Sequence, residues 1–218
     1  MRVVVAGGHG QIALLLEQQL ATRGDAATAL VRNPDHFSDV QSAGAVPVLC
    51  DLESADLDSV ASYLNGADAA VFAAGAGAGS GAARKDTVDY GAAALFASAA
   101  VEAGVRRFVQ VSSVGIEAAD SPDVPEDFAA YLKAKKLAED DLRPRDLDWT
   151  ILRPGQLVND PPTGLVTLAA PKLPRGSVTR ADVAAVIAEL LNAPGTIGKT
   201  LELTNGETPV AEAVHAIL

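Results

Sequence analysis

A chain of 218 residues has room for one large domain, or one domain with a small appended lobe, and too little for separate catalytic and regulatory domains of about 150 residues each. Seventeen Lys and Arg against 28 Asp and Glu leave a net charge of −11 and a pI near 4.6, which repels phosphate backbones and anionic lipid and excludes nucleic acid and the membrane surface as partners. With 49% hydrophobic and 21% charged residues, the composition is globular and rules out disorder of the whole chain.

In chain order, Met1-Arg2-Val3-Val4-Val5-Ala6 runs straight into glycines, so the apolar stretch of a signal peptide is missing, and no run of about 18 apolar residues follows. The expectation is a soluble, cytoplasmic protein. Short apolar or β-branched runs occur at Arg2–Ala6, Ala27–Val31, Val46–Cys50, Ala69–Ala74, Arg107–Val111, Trp149–Leu152 and Thr200–Leu203. Segments of helical period lie between them at Gln11–Arg23, Pro34–Ala43, Leu57–Leu64, Val88–Ala103, Glu126–Leu142 and Ala181–Asn192. The alternation predicts an α/β, doubly wound parallel sheet, buried on both faces, as a single domain over residues 1–218 with a small C-terminal lobe on the substrate side. Two loops stand out. Gly75–Ala83 is too poor in side chains to pack and reads as mobile, while Pro154–Gly176 is proline-rich and lacks a period, as a lid or substrate-side segment does.

Between the first strand and the first helix lies Gly7-Gly8-His9-Gly10-Gln11-Ile12-Ala13. Glycine allows the positive φ angles and close backbone approach that a pyrophosphate needs, and the free N–H groups of Gln11 and Ile12 at the helix start face its charge. The turn therefore reads as a dinucleotide site, against the plain alternative of a tight turn. At the end of the second strand, where an NAD-selecting protein commonly carries a carboxylate for the ribose 2′-hydroxyl, stands Arg32. Its forked donors suit a 2′-phosphate, so NADP is expected in preference to NAD, with NAD still possible. His9 adds a donor nearby. The competing readings are a solvated strand-end arginine and a loop-filling histidine.

Tyr131 and Lys135 stand four residues apart and share a helix face. They follow the strand Arg107–Val111, which delivers Ser112-Ser113 to the carboxyl end of the sheet, where active-site groups of open α/β sheets gather. A phenol is a poor proton donor near neutral pH unless a cation stabilises its anion, and Lys135 supplies one; a serine hydroxyl opposite can fix a carbonyl oxygen. The competing reading makes Tyr131 rim packing and Lys135 one of a solvated lysine trio with Lys133 and Lys136.

With the glycine turn, Cys50-Asp51-Leu52, Ala73-Ala74-Gly75, Val111-Ser112-Ser113-Val114-Gly115, Tyr131 with Lys135, and Leu152-Arg153-Pro154-Gly155, the chain resembles over its whole length the short-chain dehydrogenase/reductase superfamily. The resemblance is to its compact atypical branch, the NAD(P)H-binding or NAD-dependent epimerase/dehydratase-like proteins of Rossmann fold. It implies that Asp51 and Leu52 contact the adenine and that Ala73, Ala74 and Gly75 pass the adenine ribose. Ser113 would orient the carbonyl, Tyr131 serve as general acid/base, Lys135 hold the nicotinamide ribose and lower the phenol pKa, and Pro154-Gly155 meet the carboxamide. Arg180-Ala181-Asp182-Val183-Ala184 opens a helix that is mostly structural in that branch. The implied activity is reduction of a small carbonyl or quinone-like substrate. The alternatives are a non-catalytic redox sensor and a sugar epimerase or dehydratase.

Cys50, the only cysteine, can form neither an internal disulfide nor, alone, a thiolate zinc site, and it reads as a core residue. His36 and His215 lack a second ligand at metal spacing, so no metal site is expected. The partner is a small molecule, and the chain is a monomer or a homodimer.

Overall fold

The computed structural model describes residues 1–77 and 79–217. The first half runs β1 (Arg2–Ala6), α1 (Gln11–Thr22), β2 (Ala26–Val31), α2 (Phe37–Ser42), β3 (Val46–Leu49), α3 (Leu57–Leu64), β4 (Ala69–Phe72), α4 (Ala82–Lys85), α5 (Ala93–Glu102) and β5 (Arg107–Val111). The second continues with α6 (Glu126–Leu142), β6 (Asp148–Pro154), β7 (Gln156–Val158), β8 (Leu165–Ala169), β9 (Ser177–Thr179), α7 (Arg180–Leu190), β10 (Lys199–Asn205), β11 (Thr208–Pro209) and α8 (Val210–His215).

Nine strands form one sheet in the order β11-β8-β10-β6-β5-β4-β1-β2-β3. From β10 to β3 every pairing is parallel, and β8 joins β10 antiparallel. Parallel strands bury both faces, so they read as continuous apolar runs; β4, Ala-Ala-Val-Phe, is buried at every position. Val3, Val5, Leu16 and Leu20 belong to the core on one face with α7, and Val4, Phe72, Phe96 and Phe108 to the core on the other. The chain begins at β1, adds β2 and β3 on one side, and returns to place β4 on the other. Strand order therefore reverses between β1 and β4, which is where such sheets bind ligands.

Two segments differ from expectation. The helix anticipated at Val88–Ala103 is α5 together with the end of a π-helical turn at Asp86–Ala92, which joins α5 to the short α4 before it. Such a turn takes in an extra residue per hydrogen-bonded ring and rotates the side chains of its own residues relative to the α period. Pro154–Gly176, which shows no period, carries the pairs of β7 with β9 and of β8 with β10. Its alternation is hidden because Leu165, apolar, points outward while Val166 and Leu168 point in. The turn before β8 is held by buried Asp182, whose carboxylate accepts from the backbone N–H groups of Thr163 and Gly164 at 3.0 and 2.9 Å. The loop Gly75–Ala83 includes Ala78, which lies outside the described residues; from Ala82 onward it is helical.

Candidate functional site

The turn after β1 is shaped by its glycines. Gly7 has φ +78°, and a Cβ on it would stand 2.6 Å from the Ala74 Cα; on Gly8 it would stand 2.5 Å from the Ala29 Cβ. Neither approach is open to a residue with a side chain. The turn is closed by the Gly10 N–H donating to the Gly7 carbonyl at 2.8 Å. Gly10 then starts α1 with no side-chain cap and no acidic residue in the first turn. The first N–H groups of a helix have no partner within it, so this end of α1, with Gln11 and Ile12, offers donors and positive dipole to an anion. A pyrophosphate is the group that such a cradle fits.

A cleft of about 240 Å³ opens on this turn, lined among others by Gly7, His9, Gly10, Arg32, Asp51, Leu52, Ala73, Ala74 and Gly75. These residues come from the ends of β1, β2, β3 and β4, and the sheet order brings them together. Cys50 also lines the cleft, and burial, with the Asp51 carboxylate second, pushes its thiol pKa up. His9 stacks on His36 with ring centroids 3.6 Å apart, and its Nε2 lies 2.8 Å from an Asp39 oxygen.

Ser113, Tyr131 and Lys135 lie outside the lining of that cleft, beside its β4 edge. Lys135 is buried and donates to the Val111 carbonyl at 3.2 Å; its Nζ stands 5.8 Å from the centroid of the Tyr131 ring. Tyr131 is half-buried and stacks on Phe128 at 5.8 Å. Ser113 is half-buried, whereas Ser112 is buried and gives its hydroxyl to Glu139 at 2.6 Å. The same Glu139 carboxylate, fully buried, accepts from the Arg153 guanidinium at 2.8 and 2.7 Å. That ion pair ties α6 to β6 directly beneath the ends of β5 and β6. Pro154 and Gly155 are buried; the Pro154 carbonyl accepts from Val114, and a Cβ on Gly155 would come within 2.3 Å of the Gly176 carbonyl oxygen.

Three groups escape a reading of the sequence. Asp89, 1% exposed, pairs with Lys135 at 3.1 Å and accepts from the Ala76 N–H at 3.2 Å, so one carboxylate links the helix lysine to the cleft wall. Glu53 and Arg84 lie at the other end of the cleft. Acidic and basic residues in helices and turns are usually solvated, and only the π turn rotates Asp89 inward. Among the described residues, no group of three or more His, Cys, Asp and Glu side chains could hold a metal ion, and no helix is long and apolar enough to cross a membrane.

The chain matches the NAD(P)H-binding family over residues 7–194. It is 36% identical over 218 residues, covering all of both chains, to YhfK of Bacillus subtilis, named an uncharacterized sugar epimerase. A solved structure from Bacillus halodurans, provisionally named an NAD-dependent epimerase/dehydratase, is 39% identical with a TM-score of 0.91 and covers 99% of each chain. ChuY of Escherichia coli O157:H7, an anaerobilin reductase, is 27% identical with a TM-score of 0.79 over 94% of this chain and 97% of its own. A match across most of the sheet, the glycine turn included, leaves one assignment: this chain is a member of the NAD(P)H-binding family of Rossmann proteins.

Proposed function

We propose that the chain is an NADP-dependent oxidoreductase that reduces a small carbonyl or quinone-like substrate, with Ser113, Tyr131 and Lys135 at the reacting end. The observation that carries this reading is Lys135: its ammonium group is buried beside the Tyr131 ring and is joined through Asp89 to the backbone of the cleft wall. One end of the sheet thus offers both an uncapped helix start for a pyrophosphate and a lysine–tyrosine pair for proton transfer. The name of ChuY supports a reductase.

When bound, the dinucleotide supplies the hydride. Gly7, Gly10 and the first N–H groups of α1 would hold its pyrophosphate, Asp51 and Leu52 its adenine, Arg32 its 2′-phosphate, and Lys135 the nicotinamide ribose. Ser113 donates a hydrogen bond to the substrate oxygen and fixes its direction. Tyr131 gives its phenolic proton to that oxygen, and the Lys135 ammonium favours the phenolate left behind. Asp89 offsets part of that charge and keeps Lys135 in place.

Purified protein incubated with NADPH and a panel of aldehydes and quinones, followed by nicotinamide absorbance, tests the reading. Turnover is expected, and Tyr131→Phe is expected to lower kcat by about a hundredfold or more with coenzyme affinity unchanged. Full turnover in Tyr131→Phe removes this mechanism. The name of YhfK favours a second reading, in which hydride leaves and returns to a sugar; coenzyme that copurifies and survives dialysis distinguishes it.

A further inference from the structure

Two guanidinium groups from opposite walls of the cleft meet on one carboxylate. Arg32, at the end of β2, places Nη1 3.5 Å from Glu53 Oε2; Arg84, on α4 after β4, places Nη2 3.0 Å and Nε 3.4 Å from the same oxygen. Thr87 donates to the other Glu53 oxygen at 2.6 Å. Two like charges this close repel unless an anion lies between them, and Glu53 fills that place with a single charge. All three charged side chains keep some exposure, 54% for Arg32, 32% for Arg84 and 25% for Glu53, so the cluster is reachable from solvent.

We propose that Arg32 and Arg84 form a two-sided clamp for the adenosine 2′-phosphate, and that Glu53 is its built-in competitor. The pair Arg84 and Glu53 then sets how strongly the chain prefers NADP over NAD. This rests on the coenzyme reading above and extends it to residues beyond Arg32. The end of β2 is where a Rossmann sheet meets the ribose 2′ position, and Arg84 reaches that point from across the cleft. Its backbone is steadied by the neighbouring Lys85, buried, which donates to the Asp127 carbonyl. His9 and His36, which also line the cleft, stack on one another, and His9 is drawn toward Asp39, which leaves the clamp to the two arginines. A phosphate monoester brings up to two charges and three acceptor oxygens, enough for both forks, and displaces Glu53 toward solvent. A ribose without the phosphate leaves the Glu53 clasp closed.

Calorimetric titration of the full-length protein with 2′,5′-ADP and 5′-ADP, adenosine halves with and without the 2′-phosphate, measures the preference directly. Wild type is expected to favour 2′,5′-ADP. Arg84→Ala is expected to cut the affinity ratio about five- to tenfold, the scale of a charge-assisted contact at a half-exposed site, by weakening 2′,5′-ADP alone, with Arg84→Lys in between. Glu53→Gln is expected to raise the ratio about threefold or more. The 5′-ADP affinity shows that each variant keeps an intact site. A ratio in Arg84→Ala equal to wild type, or a ratio in Glu53→Gln unchanged or lower, overturns the clamp while the coenzyme reading stands. Wild type that binds neither probe, nor NADPH or NADH, overturns both.

Discussion

Glu17 lies on α1 between Leu16 and Leu20, fully buried where α1 packs on α7, and neither carboxylate oxygen has a hydrogen-bond partner among the described residues. Burial raises its pKa from 4.5 to about 8 because the apolar surroundings penalise the charged form. Between those two values the folded chain keeps a proton that the unfolded chain has released, so stability falls as pH rises through that window. Glu17→Gln is expected to leave the melting temperature nearly unchanged at about pH 5 and to raise stability by a few kcal/mol near pH 8.5. Thermal melts followed by circular dichroism at both pH values check this; equal effects at the two would contradict it. The sequence does not single out Glu17, because an acidic residue among leucines on a helix is normally on the wet face, and only packing against α7 closes that face. The glycines of the first turn are the opposite case: their positive φ and close contacts are local requirements, and so they stand out in the chain itself.

At the scale of elements, the pair Asp89–Lys135 joins the π turn to α6 and, through Ala76, to the wall after β4. Removing one member of a buried ion pair leaves an uncompensated charge, which costs about 3–5 kcal/mol, whereas removing both costs much less. Asp89→Asn and Lys135→Met are therefore each expected to lower the free energy of unfolding by about 3–5 kcal/mol, and the double variant by clearly less than the sum. Urea unfolding of the four proteins gives the coupling, and strict additivity would refute the pairing. The α6 residues Tyr131 and Lys135 share a face by helical spacing alone, and so that half of the pair is visible in the sequence. The register of Asp89 depends on a π turn, which leaves no mark on hydrophobic periodicity, since the end of the turn and α5 read as one helix from Val88 to Ala103.

The whole molecule depends on a strand that arrives late. β10 lies between β6 and β8, with Leu201 and Leu203 buried, and is the parallel partner of β6 on that side. A chain cut after Gly198 loses this strand and leaves the β6 edge and the α7 face of the core open to water. Its product is expected to be insoluble or molten, with exposed apolar surface; far-UV and near-UV circular dichroism with a dye-binding assay on any soluble fraction check this, and a native-like near-UV spectrum would refute it. The same dependence explains part of the segment Pro154–Gly176: β8 has β10 and β11 as its partners, and β7 pairs with β9.

The chain by itself determined the alternation of strand and helix, the glycine turn that precedes α1, and the shared face of Tyr131 and Lys135. Each is a matter of backbone freedom or of period within a few residues. Tertiary structure alone decided that Glu53 and Arg84, 31 positions apart, meet Arg32 at one end of the cleft, that Asp89 turns inward onto Lys135, and that Glu17 loses its water. Those outcomes follow from the order in which the strands assemble, which brings charges together from distant segments and sets the dielectric around them. No local pattern carries that information.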